Sequence, residues 1–138
     1  MIDPNDPKGA HALERLGRER TAWMTSVTPD GQPQTMPVWF LWDDGSILVY
    51  SFRTAVRNRN VAANPKVSFV LNTDDEGEDL VIVEGEARLV PDDVAARDNP
   101  PFLEKYRSLI DQYGWTPEKY STDYPHPIRI RPTRVRFG

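Results

Sequence analysis

The chain has 138 residues, a formal net charge of −4 and no cysteine. That length suits one domain, residues 1–138, able to hide about two-thirds of its unfolded surface. The composition excludes disulfides and thiolate zinc sites and argues against a general nucleic-acid binder. No apolar run approaches the ~18 residues needed to cross a bilayer. Met1-Ile2-Asp3-Pro4 also lacks the basic-then-apolar layout of a signal peptide, so a cytoplasmic location is expected.

Residues 1–8, with Pro4 and Pro7, read as a loose arm. Ala10, Leu13 and Leu16 then recur at helical spacing among charged residues, which predicts a half-buried helix over Gly9–Arg20. A strand follows at Thr21–Thr28. Pro29-Asp30-Gly31-Gln32 makes a turn, since proline fixes φ and glycine accepts a left-handed conformation. Pro33–Trp42 reads as the returning strand, Asp43-Asp44-Gly45 as a tight turn, and Ser46–Ser51 as the third strand of a meander. Pro37 inside the second strand marks an edge, a bulge or a place where the sheet opens.

A short helix is expected next, ending near Asn64-Pro65. Lys66–Asn72 is a fourth strand, and Thr73–Asp79 an acidic solvated loop. Leu80–Val90 is a long fifth strand with Val81, Val83, Gly85, Ala87 and Leu89 on one face. Gly85 there signals a bend or a close backbone approach. Pro91-Asp92-Asp93 opens a helical region that Pro100-Pro101 interrupts and Phe102–Tyr113 continues, with Gly114 as its C-cap. A short helix or loop through Tyr124 leads to the last strand, Ile128–Gly138, where Pro132 marks a bend or a partly edge position. The sum is a mainly β chain: six antiparallel strands with inserted helices, closed or split into a small barrel.

The segment with the most chemistry lies between the third strand and the short helix. Arg53, Arg57 and Arg59 fall there with Ser51 and Thr54, around a helix start whose free N–H groups and positive dipole end suit a phosphate. Arginine adds planar, bidentate donors. Ser51 and Thr54 can cap the helix or bind the same anion. The sequence holds no His/Glu cluster at metal-ligand spacing and no serine–histidine pair in a nucleophile context. Tyr106, Tyr113, Trp115, Tyr120 and Tyr124 can line a substrate mouth, although packing is the better explanation for most of them.

Five stretches in order resemble the pyridoxamine-phosphate-oxidase-like flavin-binding split barrels, and within them the F420-dependent (deazaflavin) subgroup of actinobacterial type. They are Thr25–Pro33, Met36-Pro37-Val38-Trp39-Phe40, Arg57–Ser68, Val83-Glu84-Gly85-Glu86-Ala87 and Ile128–Val135. The family's usual lysine at the start of the basic helix is Arg57 here. The resemblance implies a homodimer with two cofactor sites at the interface. The ring would lie against Met36, Pro37 and Val38, and the phosphate on Ser51, Arg53, Thr54, Arg57 and Asn60.

Three readings of function follow. The first is an oxidoreductase passing a hydride between F420 and a small conjugated or cyclic substrate, with no obligatory side-chain acid or base and no metal. The second places FMN where F420 would be; Arg59 and the C-terminal arginines 129, 131, 134 and 136 are candidates to hold the longer acidic tail of F420. The third is a non-catalytic carrier of flavin, haem or another tetrapyrrole. Haem would call for His11 or His126 as an iron ligand.

Overall fold

The computed structural model describes residues 1–138. Its elements in order are α1 (Pro7–Arg18), β1 (Ala22–Val27), β2 (Pro33–Val38), β3 (Leu41–Asp43), β4 (Ser46–Ser51), α2 (Val56–Ala63), β5 (Lys66–Leu71), β6 (Val81–Leu89), a 3-10 turn (Ala96–Asp98), α3 (Pro100–Gln112), α4 (Pro117–Asp123) and β7 (His126–Phe137). One antiparallel sheet takes the order β2-β1-β5-β6-β7-β4-β3.

There are seven strands rather than six, and the first three are not a meander. The expected strand Pro33–Trp42 breaks at Trp39–Phe40, so that β2 pairs only with β1 and β3 only with β4. Tyr106 stabilises the break. Its hydroxyl accepts from the Phe40 N–H at 2.8 Å and lies 2.6 Å from the Arg20 carbonyl and 2.9 Å from the Phe40 carbonyl, both acceptors. The backbone groups that leave the ladder at Phe40 therefore keep partners despite full burial. The break has a large geometric effect, because β2 and β3 are the two margins of the sheet. Three residue steps from Val38 to Leu41 span at most about 11 Å. The margins must come close, and the sheet curls into a half-open barrel with a seam.

The main core fills the concave side, where Phe40, Ile47, Val49, Phe69, Val83, Ile128 and Ile130 meet Leu16 of α1. β4 is covered on both faces. Its Leu48 and Tyr50 point outward into a second cluster with Phe102, Tyr106, Ile110 and Tyr120. Phe102, Tyr106 and Ile110 recur every four residues, and burying a side chain such as Phe102 contributes about 2–3 kcal/mol.

Other boundaries shift for identifiable reasons. α1 begins at Pro7, since proline suits a helix's first position. The arm is tied down: Ile2 packs on the main core, and a Cβ on Gly9 would meet the Asp3 carbonyl oxygen at 2.1 Å. The buried face of α1 is Gly9, Ala12, Arg15 and Leu16, rotated from the expected stripe. Pro100 starts α3 instead of interrupting a helix, and Pro91–Asp93 form only a turn. Gly85 is the expected close approach. It faces Pro132 where the β6–β7 register shifts, and a Cβ there would lie 2.6 Å from the Arg131 carbonyl oxygen.

Lys105 braces the same break as Tyr106, donating to the Phe40 carbonyl at 2.9 Å with its ammonium 3.8 Å from the Phe40 ring centre. Burial lowers its pKa to about 8, against an opposing pull from Glu19. Between about 8 and the ordinary 10.5 the folded chain thus binds fewer protons than the unfolded one, and stability rises with pH. Below about 8 both states are charged and the burial cost is constant. Urea midpoints of wild type and Lys105→Met should therefore move in the wild type's favour from about pH 8 to 10. A pH-independent difference would show the amine to be solvated.

Candidate functional site

The seam opens on a cleft of about 550 Å³. One wall is the end of β2, where Met36 and Pro37 are exposed and Val38 is buried. The opposite wall comes from α4 and the loop before it, with Tyr113, Trp115, Tyr120 and Tyr124, and the floor from Trp39, Tyr50 and Phe52. Trp39 stacks on both Tyr106 and Tyr120, at centroid distances of 4.6 and 5.3 Å with planes within 9° of parallel. Tyr120 in turn stacks on Tyr124 at 4.4 Å. Such a rigid aromatic bed suits a flat ring system.

Arg57, in the first turn of α2, is the charged residue of this lining, and no carboxylate shares it. Burial lowers its pKa, the Tyr124 and Tyr120 hydroxyls acting in the opposite sense. Its Nε is buried without a hydrogen-bond partner. The atoms sharing that condition are the Ser51 hydroxyl and the Oδ1 atoms of Asn58 and Asn60. All four unpartnered buried side-chain atoms of the chain thus fall between residues 51 and 60. Buried polar groups ordinarily find partners, and a cluster that does not points to something the protein alone does not supply.

The candidate residues divide by position. Met36, Pro37, Val38 and Arg57 share the cleft. Ser51 is fully buried at the end of β4, while Arg53 and Thr54 are exposed on the loop leading to α2. Neither hydroxyl caps the helix; Ala55 occupies the N-cap and offers no side-chain acceptor, so the Asn58 N–H turns to the Ala55 carbonyl at 3.1 Å while the N–H groups of Val56 and Arg57 stay open. Asn60 turns away from the cleft. Its amide donates to the Ser26 hydroxyl at 3.0 Å and to Gln34 at 2.9 Å, tying α2 to the β1–β2 hairpin.

The arginines also divide. Arg53, Arg57 and Arg59 make no ion pair, although the Arg53 guanidinium lies 5.0 Å from the Phe52 ring centre. In contrast, Arg129 is held by Asp93 and Asp43, Arg131 by Glu86 and Arg136 by Glu84. Three of the four C-terminal arginines are therefore spent on the chain's own carboxylates and form no anion-binding surface. Neither histidine lines the cleft: His11 pairs with Asp79, and His126 is exposed opposite Ser51. No three His, Asp or Glu side chains come together as a metal site.

Sequence reasoning did not single out Trp39 and Phe52 as cleft residues. The signal for Trp39 was its place directly after Val38, at a strand break that alternation alone does not reveal. Tyr106, grouped with the mouth residues, lies behind Trp39 as part of the buried support.

The model of the family described as pyridoxamine 5'-phosphate oxidase matches residues 9–137, nearly the whole chain. The chain belongs to that family. No curated protein matches this family member significantly. Among solved structures it is similar to an F420 reductase at 26% identity, covering 89% of this chain and 94% of that one with a TM-score of 0.64. An FAD-binding protein from Mesorhizobium loti (22% identity, 91% and 90% covered, TM-score 0.61) shares the fold. So does the heme storage protein HutZ from Vibrio cholerae (17% identity, 91% and 91% covered, TM-score 0.62). Proteins of this fold thus include an F420 reductase and an FAD-binding protein, and the family's oxidase name marks oxidoreductases within it.

No helix is long and apolar enough to cross a membrane.

Proposed function

We propose that the chain is an F420-dependent oxidoreductase, binding the deazaflavin ring along Met36, Pro37 and Val38 and its phosphate at the start of α2. The observation that carries this reading is the unpaired Arg57 guanidinium, its Nε buried without a partner, in a cleft that holds an aromatic bed and no carboxylate. The similarity to an F420 reductase supports the choice of deazaflavin. When bound, the cofactor supplies hydride transfer to or from a small conjugated or cyclic substrate. The chain's own residues bind, orient and exclude water: Arg57 and the open helix start favour the phosphate, and the stacked aromatics keep the cleft dry and flat.

FMN is the second reading, favoured by the FAD-binding relative and by a phosphate site that does not distinguish the two chromophores. The absence of a histidine from the cleft gives no support to a haem carrier. We further infer a homodimer with its cofactor sites at the interface. Its support is the half-exposed Trp23 and Met36 beside the seam and the open outer face of the sheet around Thr25, Ser68, Glu84 and Thr133.

Fluorescence titration of the purified apoprotein with oxidised F420 and, separately, FMN tests the proposal, with gel filtration alongside. Saturable micromolar F420 binding with weak FMN binding on a dimer is the expected result. FMN preference moves the protein to the flavin branch, and binding of neither removes the cofactor assignment.

A further inference from the structure

α4 carries two tyrosines one helical turn apart, Tyr120 and Tyr124, and both line the cleft. The helix is fastened to the loop that leads into α2. The Arg53 N–H donates to the Asp123 carbonyl at 3.0 Å, and the Tyr124 ring meets Phe52 edge-on at 5.3 Å. Tyr120 is only 4% exposed. The other deeply buried phenols nearby have partners: the Tyr106 hydroxyl is satisfied at Phe40 and Arg20, and Tyr50 donates to the Val94 carbonyl at 2.8 Å. The hydroxyls of Tyr120 and Tyr124 find no partner within the chain. Both line the same cleft as Arg57.

We propose that Tyr120 and Tyr124 are ligand-binding residues whose hydroxyls complete, with the Arg57 guanidinium, the recognition of the cofactor's phosphate. This rests on the cofactor reading above and assigns it two donors from α4. Burial raises the phenol pKa of each, so both stay protonated and able to donate at neutral pH. A guanidinium that shares its cleft with two neutral donors and no carboxylate matches an oxyanion better than a neutral or cationic group. Tyrosine is suited to the position: its ring extends the stack on Trp39 while its tip stays polar.

The test compares each chromophore with and without its phosphate: FMN against riboflavin, and F420 against its phosphate-free riboflavin-like chromophore. Tyr120→Phe, Tyr124→Phe and the double variant keep the aromatic bed. In each single variant the phosphorylated ligand should bind about tenfold more weakly while the phosphate-free one changes less than about twofold. Because neither hydroxyl bonds within the chain, apoprotein Tm should be unchanged or slightly raised, which separates lost recognition from misfolding. Equal effects on both ligands, or none on either, would reduce the tyrosines to packing and overturn this inference. The cofactor reading would survive that outcome if Arg57→Ala still weakened the phosphorylated ligand selectively. Failure of wild type to bind any of the four ligands would remove both.

Discussion

Arg57→Ala is expected to weaken binding of the phosphorylated cofactor by tenfold or more while leaving the fold intact. Hydrogen bonds to a charged group contribute about 1.5–3 kcal/mol, and 1.4 kcal/mol is already a factor of ten in affinity. Arg57 stands near the upper part of that range because it is half-buried and free of any carboxylate that would compete for it. Its removal leaves no protein group newly orphaned, since its Nε has no partner in the chain. The apoprotein's Tm should accordingly hold or rise. Arg57→Lys restores charge without the planar fork and should recover only part of the affinity. A titration curve for the alanine variant that overlays the wild type's would place the phosphate elsewhere, with the exposed Arg53 and Arg59 as the next candidates.

The second large effect is on stability. Arg15 is 4% exposed, and its guanidinium holds Glu19, the Asn72 carbonyl and both the carbonyl (2.6 Å) and carboxylate (3.1 Å) of Asp79. One side chain thus fixes α1 to the end of β5 and the start of β6. Breaking a buried pair by removing one partner costs about 3–5 kcal/mol, because the remaining charge and carbonyls lose their donors. Asp79 keeps part of its solvent contact, so the lower figure applies to Arg15→Met. Urea denaturation should show a loss of about 3 kcal/mol, or roughly 10 °C in Tm. A loss under about 0.5 kcal/mol would mean that water takes over these contacts.

Arg15 also shows where sequence reading stops. Alternation located β1, β5 and β6 closely, because each has one face against the core and period-two burial follows directly; β4, buried on both faces, was legible as a short apolar run after a tight turn. A charged residue whose stem and head are both buried looks, in a pattern, like the polar side of a helix; α1 was therefore phased on Ala10 and Leu13 when its inner face holds Arg15. The break at Trp39–Phe40 was illegible for a related reason. Its backbone partners come from Tyr106, 66 residues away in the chain. The clustering of Arg53, Arg57 and Arg59 was legible because it is local in the chain. What was not legible was the division of labour within it, with Arg57 facing the cleft and Asn60 bracing the hairpin. Nor could spacing show that the C-terminal arginines spend their charge on Asp43, Asp93, Glu84 and Glu86 across the sheet.

The prolines of β2 acquire a further meaning from its place at the margin of the sheet. Pro33 and Pro37 are four residues apart, so their backbone nitrogens point the same way, and a proline fits a paired strand only where that direction is away from the partner. Positions 33, 35 and 37 therefore face outward, and of these three only Thr35 keeps an N–H. A margin with so few donors is a poor template for a foreign strand. Pro37, which lines the cleft, thus also silences the margin toward other chains, so that the sheet can keep an open edge without recruiting neighbours into a growing sheet.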